Sequence, residues 1–284
     1  MTKRSPMAWL LVLLVTLGAV GSLRAQEATP EPPRTLRGVD VNSLSATDVL
    51  VPEVLSVREH STTAYTQGLI LHAGLLYEST GQRGASTLRE VDPASGAVLR
   101  QVNLPDQLFA EGLALVGDRL IQLTWTSGIA RYYDRETFVL LAEERYGGQG
   151  WGLCYDAEVL WMTDGSSTLF IRDARTFDLL ETRPVTLEGT PIDRLNELEC
   201  VGEHLYANVY QSDYIVRIEK STGEIDQVID AISLWEQELS AAERADLEPR
   251  DEVLNGIAWD PENEVFYLTG KHWPKLFEVR FVAP

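Results

Sequence analysis

The segment AEGLALVGDRLIQLTW, residues 110–125, decides the fold, because the chain repeats its plan four more times. The counterparts are TQGLILHAGLLYEST (66–80), GWGLCYDAEVLWMTDG (150–165), LNELECVGEHLYANVY (195–210) and LNGIAWDPENEVFYLTG (254–270). Each reads as a short apolar strand, a turn, and a second strand rich in β-branched and aromatic residues. Aligned on the third residue, the anchors are Gly68, Gly112, Gly152, Glu197 and Gly256, at intervals of 44, 40, 45 and 59 residues. A second hairpin follows four of the units, with turns at DPASG (from Asp92), DRETF (from Asp134), DARTF (from Asp173) and EKSTG (from Glu219). Asp, Pro and Gly supply the backbone angles that such turns need. Units of about four strands, recurring every 40–50 residues or so, are propeller blades. The expected fold class is therefore all-β, a five-bladed β-propeller.

The chain ends fit that reading. The fifth unit continues into KLFEVRF from Lys275 and then stops, one strand short. Upstream of the first unit, VPEVLSVREH (51–60) is a spare strand. Val54 to Arg58 is expected to complete the last blade, closing the ring and removing its open seam. The long fourth interval holds AISLWEQELSAAERADLEPRDE (231–252), rich in helix formers, with Ser240 three residues before Glu243 as in a capping box. This predicts a short helical insertion before the fifth blade, either a surface decoration or a rim over the site.

Over 284 residues, 24 Lys+Arg stand against 43 Asp+Glu, a formal charge of −19. Such acidity argues against nucleic acid and against anionic lipid as partners. Lys3 and Arg4 precede an apolar run from Met7 to Val20, with small residues up to Ala25. That is the layout of a secretory signal peptide, and the run is short for a membrane span. The expected organisation is a signal peptide over 1–25, a linker or N-terminal extension over 26–50, and a catalytic propeller over 51–284. Export to the periplasm or the outside follows, with an uncleaved signal anchor as the alternative. Cys154 and Cys200 occupy related places in neighbouring units, so a disulfide and two packed thiols both fit. The histidines at 60, 72, 204 and 272 are scattered and no CxxC or HExxH pattern occurs, so no metal site of that kind is expected.

In a propeller the innermost strands line the central channel, and the loops of one face form a funnel for ligand. The residues just before the five anchors are Gln67, Glu111, Trp151, Asn196 and Asn255, a mixture that packing does not require. Rotational symmetry would gather them near the axis. The ends of the second strands add Trp125, Tyr210 and Lys271. Singly, each has an ordinary explanation: a solvated carboxylate, a turn amide, an inter-blade indole. Together at equivalent positions they point to a site.

The strings YTQGL, AEGL, LTW, GWGL, LNELE, ANVYQ, LNGIAWD and TGKHWPKLFE, in this order, resemble the glutaminyl cyclases of plants and bacteria. The resemblance runs from about Val54 to Val282 and implies a five-bladed propeller. It implies an acyltransferase (aminoacyltransferase) activity: closing the N-terminal glutamine of a peptide or protein into pyroglutamate with release of ammonia. It places the catalytic acid/base on Glu111 and substrate contacts on Tyr65, Gln67, Trp125, Trp151, Asn196, Tyr210 and Lys271. Tyr65 stands where the family often has Phe, Tyr210 where the plant enzymes carry Trp, and Ala110 replaces a Gly, which bears on peptide selectivity more than on the reaction. The chemistry needs no cofactor, a structural cation in the channel would not alter it, and a monomer is expected. Two rival readings stand beside it: a non-catalytic peptide-binding propeller, and a metal-dependent propeller hydrolase or lactonase using Glu111, Asn196 and Asn255.

Overall fold

The computed structural model describes residues 1, 35–45, 48–247 and 251–284. The expected signal peptide at 1–25 and the first part of the linker lie outside the described residues. The protein is all-β with few helices. Three antiparallel four-stranded sheets come first. Their strands are Thr66–His72, Leu75–Thr80, Thr87–Val91 and Val98–Asn103; then Ala110–Val116, Arg119–Thr124, Ile129–Asp134 and Leu140–Arg145; then Leu153–Tyr155, Val159–Met162, Thr168–Asp173 and Leu179–Pro184. An eight-stranded sheet holds the rest apart from two two-stranded ribbons, Thr35–Leu36 with Val39–Asp40 and Thr186–Leu187 with Thr190–Pro191. Its first half is Leu195–Val201, His204–Val209, Tyr214–Glu219 and Ile225–Asp230. Its second half is Leu254–Asp260, Val265–Gly270 and Lys275–Val282, completed by Val49–Glu59.

The spare N-terminal strand pairs antiparallel with the last strand of the chain, from Lys275 opposite Glu59 to Val282 opposite Val51. The two halves of the large sheet are joined as one ladder by a short parallel pairing, Val228 with Val49 and Ile229 with Leu50. The first strands of successive sheets touch in a cycle, and the strand from Leu254 returns to the strand from Thr66.

The apolar core is divided into layers between successive sheets. Tyr77 and Leu88 pack on Leu113 and Leu120; Ile121 and Leu123 on Leu153 and Leu160. Trp161 and Ile171 pack on Leu198 and Leu205; Ile215 and Ile229 on Ile257 and Phe277. Val265 and Leu276 close the cycle on Leu69 and Leu76. Each buried Leu, Ile or Phe contributes about 1.5–3 kcal/mol, so no single layer dominates. Leu36 and Val41, inside the stretch read as a linker, are buried in the layer that contains Ile225 and Val228.

The anchor positions are explained by spacing. A Cβ on Gly68 would lie 2.6 Å from the Leu113 nitrogen, and one on Gly112 2.5 Å from the Leu153 nitrogen. Neighbouring first strands approach too closely there for any side chain. Glu197 breaks the rule by turning inward. Its carboxyl accepts from the Leu69 N–H (3.2 Å) and the Ile257 N–H (2.9 Å), tying first strands of three units together.

Cys154 and Cys200 form a disulfide between the first strands of the third and fourth sheets, with Cα atoms 5.6 Å apart. Closing a loop of this size constrains the unfolded chain by about 2–4 kcal/mol. Reduction is expected to lower Tm by roughly 5–15 °C, read by calorimetry with and without reductant. Between the last two units, a π-helical turn (Leu234–Glu238) and an α-helix (Ala241–Ala245) occur. The capping box forms: Glu243 N–H donates to the Ser240 hydroxyl, and Ser240 N–H to the Glu243 carboxylate.

Candidate active site

The first strand of nearly every unit carries an irregularity at the same point. Register shifts fall between Thr66 and Gly68, Ala110 and Leu113, Leu195 and Leu198, and Leu254 and Ile257. In the third unit the regular strand begins only at Leu153, after Trp151 and Gly152. A bulge re-aims the side chain it carries and is common beside functional sites. Here the bulges coincide with Gln67, Glu111, Asn196 and Asn255.

The result is one cavity of about 260 Å³, lined by Tyr65, Gln67, Phe109, Glu111, Trp125, Trp151, Asn196, Tyr210, Asp251 and Lys271. Eight of the nine residues singled out from the sequence line it. Asn255 stands behind the wall; its Nδ2 donates to Gln67 Oε1 (3.0 Å) and to the Thr66 carbonyl (2.9 Å). With Oε1 so engaged, the amide Nε2 is the part of Gln67 left to donate. Asn196 Oδ1, though buried, has no hydrogen-bond partner among the described residues.

The floor of the cavity is buried. Glu111 is 4% exposed and Lys271 2%. Burial pushes the Glu111 carboxyl well above the usual carboxylate range, with the Lys271 charge pulling the other way. Burial likewise lowers Lys271 to about 8, against the pull of Glu111 and Asp251. The Lys271 ammonium lies 4.7 Å from the Tyr65 ring centre and 4.4 Å from that of Tyr210, a cation–π sandwich. Phe109 joins Tyr65 to Trp125 edge-on, at 5.9 and 5.6 Å between centroids. Trp151 meets Tyr210 edge-on at 5.7 Å.

The indole N–H groups are already committed. Trp125 Nε1 (2.6 Å) and Trp151 Nε1 (3.0 Å) both donate to Gln149 Oε1, so neither is free to serve an oxyanion. Behind Thr66, the Glu78 carboxylate accepts from the Thr66 hydroxyl (2.7 Å) and pairs with His60 Nε2 (3.0 Å). His60 Nδ1 faces the Trp273 carbonyl at 2.8 Å, an acceptor that only a protonated ring nitrogen can serve. Burial lowers the His60 pKa, but the Glu78 charge and hydrogen bond, together with the Trp273 carbonyl, raise it on balance.

Phe109, Gln149 and Asp251 were not singled out from the sequence. Two of them carried a signal. Phe109 and Gln149 stand two residues before Glu111 and Trp151, as Tyr65 stands two before Gln67, so the repeat itself put them at matching positions. Asp251 lies outside the repeat. Among the described residues, no cluster of three or more His, Cys, Asp or Glu side chains could share a metal ion.

Comparison with known proteins identifies the family. A glutaminyl-peptide cyclotransferase of Arabidopsis thaliana is 37% identical over 231 residues, covering 80% of this chain and 70% of its own length. The crystal structure of Myxococcus xanthus glutaminyl cyclase superposes with a TM-score of 0.76 at 37% identity, covering 83% of this chain and 98% of that one. The family profile described as glutamine cyclotransferase matches residues 20–281. The chain thus belongs to the glutamine cyclotransferase family.

Proposed function

We propose that the chain is an exported glutaminyl-peptide cyclotransferase built as a five-bladed β-propeller, with Glu111 as its proton shuttle. The eight-stranded sheet is then two blades joined at a short parallel contact, and the helical segment is an insertion before the fifth. The disulfide supports export, since such bonds persist in oxidising compartments. One observation carries the catalytic reading: a buried carboxyl of raised pKa shares an aromatic cavity with a buried ammonium.

The reaction is an internal aminolysis. The substrate's α-amine and side-chain carboxamide belong to one residue, so a rigid pocket that holds it curled gains a large effective molarity. The carboxylate of Glu111 attracts the α-ammonium and takes a proton from it. The amine nitrogen bonds to the amide carbon, and the carbonyl electrons move to oxygen. Lys271 and the Gln67 and Asn196 amides, donors left once the indoles are committed, balance that oxyanion. Glu111 then hands that proton to the departing nitrogen, the oxyanion electrons re-form the carbonyl as the carbon–nitrogen bond breaks, and ammonia leaves. The ring nitrogen gives its remaining extra proton to the Glu111 carboxylate, leaving the neutral five-membered lactam, and loss of that proton to solvent resets the site. A carboxyl with a raised pKa suits both halves of this shuttle near neutral pH.

Incubation with a Gln-initiated peptide is expected to remove one ammonia per peptide above the spontaneous rate, read by mass spectrometry. No acceleration would defeat the proposal. The kcat profile is expected to be bell-shaped. Its acid limb follows ionisation of the Glu111–Lys271 pair above the usual carboxylate range. Its alkaline limb falls as Lys271 loses its proton near pH 8. Lys271→Met is expected to lower kcat about a hundredfold and to abolish the alkaline limb. Lys271→Arg should retain the cation and move that limb upward.

A further inference from the structure

Asp251 stands apart from the other residues of the cavity. It is an exposed carboxylate at the edge of a site whose floor, Gln67, Glu111, Asn196 and Lys271, is buried. It belongs to the 231–252 segment, outside the repeated strands. Its Oδ1 accepts both the Tyr65 hydroxyl (2.7 Å) and the Tyr210 hydroxyl (2.9 Å). Those two rings flank the Lys271 ammonium. Its Oδ2 makes no hydrogen bond with any other described residue.

We infer that Asp251 is a specificity-determining residue that selects peptides by the charge of the residue following the terminal glutamine. The inference rests on the cyclase reading of the same cavity. With the glutamine side chain and α-amine at Glu111, the rest of the peptide must leave past the exposed rim. Among the residues lining the cavity, Glu111 and Asp251 are the two acids, and Asp251 is the one at the rim. Two phenol donors fix one carboxylate oxygen and so hold the other in a set direction, which makes the charge directional. A lysine or arginine after the glutamine meets a partner there. An aspartate or glutamate meets a like charge at the same place, a repulsive element of the kind specificity requires. The net charge of −19 acts in the same sense at longer range.

The test compares kcat/KM for three peptides identical except at the second residue: Gln-Lys, Gln-Ala and Gln-Glu. For the unaltered protein at low salt, Gln-Lys is expected to exceed Gln-Glu by about tenfold, the scale of one exposed attraction plus one repulsion. In about 1 M salt, where the Debye length is about 3 Å, the ratio should shrink toward one. Asp251→Asn keeps an acceptor for the two phenols and removes the charge. It is expected to bring the Gln-Lys to Gln-Glu ratio within about twofold of unity at low salt, whatever its overall rate. A ratio near one in the unaltered protein would overturn the inference, as would the same tenfold ratio in Asp251→Asn. Cyclisation of all three peptides without charge preference would leave the cyclase reading standing and this inference refuted. No turnover of any peptide would overturn both.

Discussion

Glu111→Gln is expected to lower kcat by at least about a thousandfold while the protein stays folded. A single general acid–base group contributes roughly a hundred- to ten-thousandfold. Here one carboxyl would serve both the attacking amine and the departing nitrogen, so its removal is placed in the upper part of that range. A thousandfold corresponds to about 4 kcal/mol of transition-state free energy. The substitution is nearly isosteric and removes a carboxylate that burial disfavours, so the fold has little reason to collapse. It also removes one of the two carboxylates that hold Lys271 up, so Lys271 should titrate below about 8 in the variant. Steady-state kinetics on a Gln-initiated peptide, with circular dichroism beside it, reads both outcomes. A folded variant that keeps a tenth of the activity would remove Glu111 from the chemistry.

Gly152→Ala is expected to cost about 3 kcal/mol or more, because the added methyl has nowhere to go. Its Cβ would collide with the Asn196 carbonyl oxygen and lie 2.9 Å from the Thr163 hydroxyl. That hydroxyl is itself engaged: Gly152 N–H donates to it (2.7 Å), and it donates to the Asn196 carbonyl (2.8 Å). The position needs glycine for room, since its φ is not in the left-handed region. Relief requires the third and fourth first strands to part, and these carry Trp151 and Asn196. A drop of about 10 °C in Tm follows, with activity reduced in whatever protein remains folded. Gly147→Ala is the control, since an added Cβ there meets nothing within 4 Å and stability should change little. Equal Tm values for the two variants would contradict the close approach of the first strands.

What the sequence made legible is what the repeat made redundant. Gly68, Gly112 and Gly152 recur because adjacent first strands nearly touch, and recurrence at the same place in three successive units separates that constraint from chance. The polar residues before the anchors were visible for the opposite reason: they vary where the framework does not. Glu197 was legible as a break in the glycine series, but its bridging of Leu69 and Ile257 was not, since that depends on three strands meeting near one axis. The turns were only partly legible. Gly96 and Gly223 take positive φ as expected, but Phe138 and Phe177 do so in the equivalent turns of two other units. Both rings are buried and lie under the guanidinium groups of Arg100 and Arg172. Packing thus overrides local preference. Asp251 was illegible because its segment has no counterpart in other units, and its role depends on two phenols brought from remote strands.

The central claim is that the side chain at position 111 touches the reacting amine. A crystal structure of Glu111→Gln with an uncyclised Gln-initiated peptide tests it most directly. The peptide's α-nitrogen is predicted to sit within hydrogen-bond distance of the side chain at 111, at about 3 Å. The glutamine carboxamide oxygen should face Lys271 and Gln67. A peptide bound with its terminal amine away from position 111, or outside the cavity, would contradict the account.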